Sequence, residues 1–324
     1  MLPPHLDERL RAFRESRVLL TAIELDLFNA VGDGAAAADV ARTLRTDARA
    51  TEMLMNALVS LGMLEKRGGI FRNAPEAARY FTKGSPDDER LANMHKVHLW
   101  NTWSTLTQCV RDGTSVRERP TGSQDWTAAF IAAMHANASA RASAVVPAVD
   151  VAQVRRLLDV GGGSGAYSIA FARANPELHA EILDLPSVVP IARGHIQAAG
   201  LAGRITAREG DLRSAEFGAG YDLVFVSAIC HMLGPQENRE LVAKAFAALV
   251  AGGRLVIQDF ILNPDRAGPP HAALFALNML VGTPGGNAYT EEEYAAWMRE
   301  AGFSAVHRVN LPHPASLMVG VRVV

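Results

Sequence analysis

The chain has 324 residues, which is long enough for two domains and a large hydrophobic core. Hydrophobic residues make up 49% and charged residues 20% of the sequence, so the composition is that of an ordinary globular protein and excludes a disordered or fibrous chain. The formal net charge of −2 gives no reason to expect nucleic acid or an anionic membrane as a partner.

Cysteine usage and the apolar runs bear on location. Cys109 and Cys230 are too few for a disulfide framework, and both lie in apolar surroundings. Because reduced core thiols are typical of a reducing compartment, we expect a cytoplasmic protein. Residues 1–5 do not resemble a signal peptide, and no apolar run reaches the roughly 18 residues that span a bilayer.

The first 90 residues predict a small domain of helices and one hairpin. Apolar residues at helical spacing predict helices over residues 6–30, 39–44 and 46–61. Residues 64–72 predict a hairpin that turns on Gly68 and Gly69. Helix, helix and hairpin in this order are typical of a winged helix.

A winged helix can bind DNA by placing its second helix in the major groove. Between Thr51 and Leu64 there is no Lys or Arg, and phosphate contacts need cations. A structural or dimerisation role is therefore favoured, with DNA binding by a ligand-responsive regulator as the alternative. The first and third helices are too apolar to be exposed, so we expect an intertwined homodimer through this domain.

Residues 91–150 predict a helical middle section. Helices are expected over 91–110 and 126–149, with a loop over 112–124. The section contains Trp100, Trp103 and Trp126. Core packing accounts for most of such residues, and the alternative is an aromatic wall of a pocket for a flat ligand.

Residues 151–324 alternate between strands and helices. The predicted strands are 157–160, 180–183, 205–208, 223–227 and 255–258, which indicates a doubly wound parallel sheet in an α/β domain. Residues 306–309 and 317–323 are joined by a loop too short for a crossover helix, so they should pair antiparallel. This ending is found in class I methyltransferases, and a typical dinucleotide-binding domain lacks it.

A glycine-rich turn follows the first predicted strand. Leu157-Leu158-Asp159-Val160 runs into Gly161-Gly162-Gly163-Ser164-Gly165, and a helix is expected over 167–173. The glycines permit a tight turn and a close approach of the backbone to a ligand. Because dinucleotide enzymes share such loops, an NAD-dependent oxidoreductase is an alternative at this point.

Polar groups lie at or just beyond the carboxyl ends of all five predicted strands, in chain order Asp159, Asp184, Gly210-Asp211, Ser227 and Asp259. Ligands of open α/β sheets bind at these carboxyl ends. Asp184 is placed to accept both ribose hydroxyls of an adenosyl group. Asp211 is placed to accept from an adenine amine, and Leu212 to pack on the ring.

His231 follows the fourth predicted strand, and Asp259 ends the fifth. The two strands should be neighbours, so both side chains can reach one crevice. A histidine can take the proton of an attacking hydroxyl, which contributes about 10² to 10⁴ in rate. A phenol, with a pKa of about 10, gains from such a base. No His/Cys cluster has the spacing of metal ligands, so no metal is expected.

Together these motifs resemble the S-adenosylmethionine-dependent small-molecule O-methyltransferases, which include the plant caffeate, acetylserotonin and bacterial antibiotic-tailoring enzymes. They combine a winged-helix dimerisation domain with a Rossmann-like domain. The matching motifs are Asp159-Val160-Gly161-Gly162-Gly163-Ser164-Gly165, Asp184-Leu185-Pro186, Gly210-Asp211, Cys230-His231, Gly252-Gly253-Arg254-Leu255, Asn278-Met279-Leu280 and Thr283-Pro284-Gly285-Gly286.

The resemblance implies roles by position, with S-adenosylmethionine as cofactor and a small, aromatic hydroxyl compound as acceptor. His231 would be the base, with Asp259 orienting it. The implied cofactor-binding positions are Asp159, Gly161, Gly163, Asp184, Leu185, Gly210, Asp211, Leu212 and Ser227. The implied acceptor-binding positions are Met134, Asn137, Asn278, Met279 and Thr283.

The chain departs from the family pattern at three places. Met232 and Leu233 replace the Asp-Trp that follows the histidine in many relatives, and Ser227 replaces a lysine near the cofactor. The second of two acids that bracket the histidine in plant enzymes falls on Ala288. Methylation of carbon or nitrogen, or use of the cofactor without methyl transfer, therefore remain alternatives.

Overall fold

The computed structural model describes residues 2–116 and 124–323. The chain forms two compact units, residues 1–100 and 101–324. The division predicted from the sequence, with boundaries at residues 90 and 150, stays a prediction. No helix in the described part of the chain combines the length and the apolar character needed to cross a membrane.

The first unit consists of short helices around a small sheet. Its helices are α1 (Pro4–Arg11), α2 (Phe13–Glu24), α3 (Leu27–Val31), α4 (Ala37–Leu44), α5 (Ala48–Ser60), α6 (Pro75–Phe81) and most of α7 (Arg90–Trp103). Its strands are β1 (Ala35–Ala36), β2 (Leu64–Arg67) and β3 (Ile70–Asn73), antiparallel in the order β1-β3-β2. The predicted hairpin is present, and Gly68 and Gly69 both have positive φ.

The single helix predicted over residues 6–30 is wrong, because the chain breaks there into α1, α2 and α3. Asp26 lies in the left-handed region with φ of 58°, which interrupts the helical hydrogen-bond ladder before α3. The apolar spacing continues across the break since both sides pack on one core, which contains Ile23, Leu27 and Phe28.

The second unit begins with the helices α8 (Leu106–Asp112) and α9 (Gln124–Val149). The continuous helix predicted over 91–110 is wrong, because residues 104 and 105 separate α7 from α8. The hydroxyl of Thr105 donates to the carbonyl oxygen of Thr102 at 2.6 Å, a local bond that competes with the helical ladder. Of the loop predicted over 112–124, residues 117–123 lie outside the described residues.

The rest of the second unit is a seven-stranded sheet with its crossover helices. The strands are β4 (Arg156–Val160), β5 (His179–Asp184), β6 (Ile205–Glu209), β7 (Tyr221–Ser227), β8 (Leu249–Asp259), β11 (Phe303–Asn310) and β12 (Ser316–Arg322). The helices are α10 (Ala166–Ala174), α11 (Val189–Ala198), α12 (Pro235–Ala248), α13 (Pro270–Gly282) and α14 (Glu291–Glu300). A separate parallel pair is formed by β9 (Ile261–Leu262) and β10 (Tyr289–Thr290).

The strand order is β11-β12-β8-β7-β4-β5-β6. Strands β4 to β8 pair in parallel, and β12 pairs antiparallel with both β8 and β11, which confirms the predicted fold class and its antiparallel tail. The chain goes from β4 to β5 on one side and later to β7 on the other. Such a reversal of strand order opens a crevice at the carboxyl ends of β4 and β7.

Side chains alternate between the two faces of the sheet. Leu158, Val160 and Val224 pack in a core on one face. Leu157 and Leu223 pack in a second core on the other face. This alternation is the period of two expected for strands covered on both sides. The carboxyl ends of β4, β7 and β8 are thereby held at one edge of a rigid layer.

Candidate active site

The glycine loop between β4 and α10 is shaped by contacts that exclude side chains. Gly161 has φ of +68°, its N–H donates to the carbonyl oxygen of Leu183 at 2.8 Å, and a Cβ here would lie 2.3 Å from Ile229 Cδ1. Gly163 has φ of +58°, and its N–H donates to Asp184 Oδ2 at 2.7 Å. Gly161 therefore has no room for a side chain, and the positive φ at Gly163 favours glycine there.

Asp184 ends β5 beside this loop. Its Oδ2 accepts from Gly163, and its Oδ1 accepts from the N–H of Leu185 at 2.7 Å. Burial raises the pKa of Asp184, and the two backbone hydrogen bonds oppose that shift. Each carboxylate oxygen keeps a further lone pair, so the fixed group can still accept from the two hydroxyls of a ribose.

Asp159 lies beneath the glycine loop, with 1% of its surface exposed. Its Oδ2 accepts from the hydroxyl of Ser168 at 2.6 Å, and a Cβ at Gly162 would lie 2.7 Å from its Cγ. Burial raises the pKa of Asp159 to about 7, with the charge of Asp184 adding to the shift and Ser168 opposing it. The carboxyl thus supports the loop from below, and its contact to a cofactor stays a prediction.

The ends of β6 and β7 carry the remaining predicted cofactor positions. The N–H of Gly210 donates to the carbonyl oxygen of Asp184 at 2.9 Å, which ties this turn to the end of β5. Asp211 is half-buried, and Leu212 packs against the neighbouring core. The hydroxyl of Ser227 donates to Gln258 Oε1 at 3.0 Å. These groups and the glycine loop lie along one edge of the sheet.

His231 and Asp259 form a buried hydrogen-bonded pair. His231 lies in a short 3₁₀ turn, Cys230–Met232, after β7, and Asp259 is the last residue of β8. Nδ1 of His231 lies 2.7 Å from Asp259 Oδ1, and the exposed fractions are 6% and 2%. Because the carboxylate accepts at Nδ1, the neutral ring keeps its proton there and presents Nε2 as an acceptor.

The backbone around His231 is held from two further elements. The amide of Asn238 in α12 is fully buried and donates to the carbonyl oxygens of Cys230 and Leu233 at 3.0 and 3.3 Å. The N–H of Asn287 donates to the carbonyl oxygen of His231 at 2.9 Å. A Cβ at Gly286 would lie 2.4 Å from that oxygen, so glycine is required where this loop crosses the histidine.

The predicted acceptor positions are distributed over α9 and α13. Asn278 Oδ1 accepts from the indole Nε1 of Trp103 at 2.9 Å. Met279 and Thr283 are buried, and the hydroxyl of Thr283 donates to the carbonyl oxygen of Met279 at 2.7 Å. In α9, Met134 is half-buried and Asn137 is exposed. Their contact with an acceptor stays a prediction.

Three polar side chains near this edge were missed by the sequence reasoning. His135 Nδ1 lies 2.8 Å from Ser164 Oγ of the glycine loop, and its ring stacks on His195 with centroids 4.1 Å apart. Burial, and then the charge of His195, lower the pKa of His135. Arg141 and Tyr294 are the other two. All three side chains contact residues that are distant in the sequence, so the spacing of residues in the sequence does not predict these contacts.

Among the described residues, no three His, Cys, Asp or Glu side chains come together as a metal site. Ala288, at the position of the second acid, is fully buried and packs with Leu262 and Ala272. The site therefore combines a glycine loop, two carboxylates at neighbouring strand ends and one buried histidine–carboxylate pair.

Comparison with known proteins places both units in one family. Residues 108–304 match the model of the O-methyltransferase domain, and residues 8–83 match that of the O-methyltransferase dimerisation domain. The chain is 34% identical to the 3-hydroxy-5-methyl-1-naphthoate 3-O-methyltransferase of Streptomyces sahachiroi, over 99% of this chain and 95% of that protein.

Of two further relatives, one is similar over the whole chain and the other over about half of it. The structure of PigF with SAH, a protein of Serratia sp., superposes with a TM-score of 0.90 at 29% identity, over 99% of this chain and 100% of that one. The L-tyrosine C(3)-methyltransferase of Streptomyces lavendulae is 36% identical over 171 residues, which cover 52% of this chain and 47% of that protein.

The raised pKa of Asp159 predicts a pH dependence of stability. The folded chain holds this proton more tightly than the unfolded chain, so the free energy of unfolding should fall as the pH rises from 3.8 to about 7. Asp159→Asn removes this contribution. Urea unfolding of the ligand-free protein at pH 5 and pH 8 should show a smaller decrease for Asp159→Asn than for the parent. The exposed Asp265→Asn serves as control, and equal decreases in all three proteins would contradict the assignment.

Proposed function

The chain belongs to the family of S-adenosylmethionine-dependent O-methyltransferases, and from this we propose that His231 is the general base that activates the hydroxyl of a small aromatic acceptor. The observation that carries the proposal is the 2.7 Å contact between His231 Nδ1 and Asp259 at the ligand edge of the sheet. An aromatic acceptor is supported by the naphthoate named for the Streptomyces sahachiroi relative and the tetracenomycin named for that of Streptomyces glaucescens.

The residues at the sheet edge fit the cofactor. We assign the methionine part to the loop containing Gly161 and Gly163, the ribose to Asp184, and the adenine to Asp211 with Leu212. Asp159, Leu185, Gly210 and Ser227 complete this set. When bound, S-adenosylmethionine supplies a methyl group on a positively charged sulfur. The chain's own task is to hold the two reactants in line, and such positioning can supply about 7–11 kcal/mol.

The proton of the acceptor hydroxyl goes to Nε2 of His231. Asp259 keeps the other ring proton on Nδ1 and stabilises the imidazolium that forms, as the carboxylate does in other histidine–acid pairs. The proton then leaves to solvent, which restores the neutral ring. The acceptor oxygen is left with the negative charge that makes it a better nucleophile towards carbon.

Asn278 is the proposed polar anchor of the acceptor pocket. An indole N–H can only donate, so Trp103 fixes the carbonyl side of the Asn278 amide and leaves its NH₂ group to donate to an acceptor oxygen. Phe275, one turn earlier in α13, places its ring edge-on to that of His231 with centroids 4.7 Å apart. We assign Met134, Asn137, Met279 and Thr283 to the same pocket.

Methylation of carbon is the second candidate. The local similarity to a tyrosine C-methyltransferase favours it, and a base can remove a proton from an activated carbon as well as from oxygen. The two reactions differ in their products, since only transfer to oxygen removes the phenolic hydroxyl. Nuclear magnetic resonance spectra of the product therefore separate them.

The N-terminal unit is the proposed interface of a homodimer. Leu6 and Leu10 in α1 and Phe13 at the start of α2 are exposed at helical spacing, and the exposed Leu2 precedes them. A stripe of large apolar side chains of this kind marks an interaction surface. The match to a dimerisation domain supports a second copy of the chain as the partner that covers it.

Methyl transfer is tested with a library of phenols and naphthols, whose methylated products are detected by mass spectrometry as the gain of a CH₂ group. His231→Ala should lower kcat by about 10² to 10⁴ because the proton acceptor is lost. Its affinity for S-adenosylhomocysteine, measured by isothermal titration, should stay that of the parent. The exposed His179→Ala is the matched control. A parallel loss of turnover and cofactor affinity in His231→Ala would contradict the assigned role.

The dimer is tested by sedimentation at micromolar concentration. The parent should sediment as a dimer, and Leu6→Glu with Leu10→Glu should shift it towards monomer because charges would enter an apolar interface. A parent protein that sediments as a monomer contradicts the proposal.

A further inference from the structure

Arg141 in α9 is a half-buried cation. Its guanidinium carbon lies 5.6 Å from the ring centroid of Phe260, the residue that follows Asp259. Within residues 2–116 and 124–323 it forms neither an ion pair nor a hydrogen bond. Partial removal of a guanidinium from water without a partner is unfavourable, so such a group indicates a place for an anion.

Several basic or neutral side chains lie near Arg141. His313, in the turn between β11 and β12, has both ring nitrogens buried without a hydrogen-bond partner among the described residues. Burial, and then the charge of Arg141, lower the pKa of His313. Burial raises the pKa of the Tyr167 phenol in α10, and a hydrogen bond with Gln258 and then the charge of Arg141 oppose that shift. His271 completes the group, with Nε2 2.9 Å from the carbonyl oxygen of Pro314.

Aromatic rings connect this cation to the base. Phe260 lies 4.5 Å from Phe275 between centroids, and Phe275 lies 4.7 Å from His231. A planar molecule that packs along these rings would have its hydroxyl at His231 and its opposite end towards Arg141. Apolar rings with one fixed cation are the usual composition of a site that orients an aromatic acid.

We propose that Arg141 binds a carboxylate, with His313 as a second donor. The proposal rests on the methyltransferase function and names the chemistry of a ligand group. Two ligands of that reaction can carry the carboxylate, an aromatic acid as acceptor or the methionine end of the cofactor. A guanidinium can bind a carboxylate through two parallel N–H···O hydrogen bonds, and the substitution Arg141→Met removes both donors.

The test compares Arg141→Met with the parent and with Arg173→Met, which removes an exposed arginine of α10. Two ligand pairs are titrated, each with one member lacking the carboxylate. The first pair is S-adenosylhomocysteine and 5′-methylthioadenosine. The second is 3-hydroxy-2-naphthoate and 2-naphthol, both added to protein saturated with S-adenosylhomocysteine.

Arg141→Met should weaken the carboxylate-bearing member of one pair by about tenfold or more and leave its partner unchanged, because a charge-assisted hydrogen bond is lost. Loss in the first pair assigns the carboxylate to the cofactor, and loss in the second assigns it to the acceptor. Unchanged affinities in both pairs, or equal losses of both members, overturn the proposal. Failure of the parent itself to bind S-adenosylhomocysteine would instead contradict the proposed function.

Tyr294 carries a second, independent inference. Its side chain in α14 is 0% exposed, and its hydroxyl satisfies hydrogen-bond geometry with no described residue. Burial, and then the charge of Asp259, hold the pKa of Tyr294 well above its usual value, so the hydroxyl remains a donor. A buried donor without a partner is rare in folded proteins.

The carboxylate of Asp259 can accept a further hydrogen bond from this hydroxyl. Its Oδ1 accepts from His231 Nδ1 and from the N–H of Phe260 at 2.7 and 2.8 Å. Its Oδ2 has one donor among the described residues, the N–H of His231 at 3.1 Å. We infer that Tyr294 is a positioning residue that donates to Asp259 Oδ2 in the working enzyme. It would hold the carboxylate, and through it the ring of His231.

Tyr294→Phe is compared with Tyr289→Phe, which removes a neighbouring buried hydroxyl that donates to the carbonyl oxygen of Leu233. Tyr294→Phe should lower kcat by about tenfold with little change in KM, because a hydrogen bond to a charged group is lost. In protein labelled with ¹⁵N-histidine, it should also shift or broaden the Nδ1 proton resonance of His231, which Tyr289→Phe should leave in place.

The proposal also predicts non-additivity. In an Asp259→Asn background, Tyr294→Phe should have no further effect on kcat, since the two residues act as one unit. A Tyr294→Phe protein with the parent's kcat and the parent's Nδ1 resonance overturns the proposal. The Phe variant differs from the parent by one oxygen, and its thermal unfolding checks that it folds.

Discussion

The parallel pairing of β7 with β8 is the constraint on which the site depends. Their register sets Val226 beside Ile257 and Ser227 beside Gln258, so the residues beyond both strands emerge at the same level. His231 and Asp259 can therefore meet at 2.7 Å although 28 positions separate them in the chain. The antiparallel pairing of β12 with the other side of β8 fixes Asp259 in turn, with Ser316 opposite it. The terminal hairpin thus helps to position Asp259 as well as to complete the core.

The cofactor side of the site is organised by buried charge. Asp159 and Asp184 lie close enough that the charge of Asp184 raises the pKa of Asp159, and both are held by short hydrogen bonds to the glycine loop or to α10. Asp184 accepts from backbone N–H groups, which stabilise a carboxylate, whereas the described part of the chain offers Asp159 one donor, the hydroxyl of Ser168. The two carboxyls are therefore suited to different tasks, one to accept from a ligand and one to support the loop.

Sequence reasoning could predict the sheet, its antiparallel tail and the strand-end residues, because each depends on local periodicity and on the geometry of parallel sheets. It placed helix breaks poorly. The turn at Asp26 and the separation of α7 from α8 are local backbone events within an unbroken apolar pattern. It also could not identify Arg141 or Tyr294 as site residues, since each is distinguished by its burial and its contacts in the folded chain. A half-buried cation without an acid and a hydroxyl without an acceptor leave no pattern in a sequence.

Among the described residues one carboxylate, that of Asp259, contacts the ring of His231, which raises the question of how the ring is oriented. Hydrogen bonds from the backbone account for much of this orientation. Asp259 accepts from the N–H groups of Phe260 and of His231 itself, so its plane is set by the strand and the turn that it joins. The side-chain amide of Asn238 donates to the carbonyl oxygen of Cys230, and the N–H of Asn287 donates to the carbonyl oxygen of His231. These groups hold the ring without an acid at position 288, where Ala288 packs in a small core with Leu262 and Ala272.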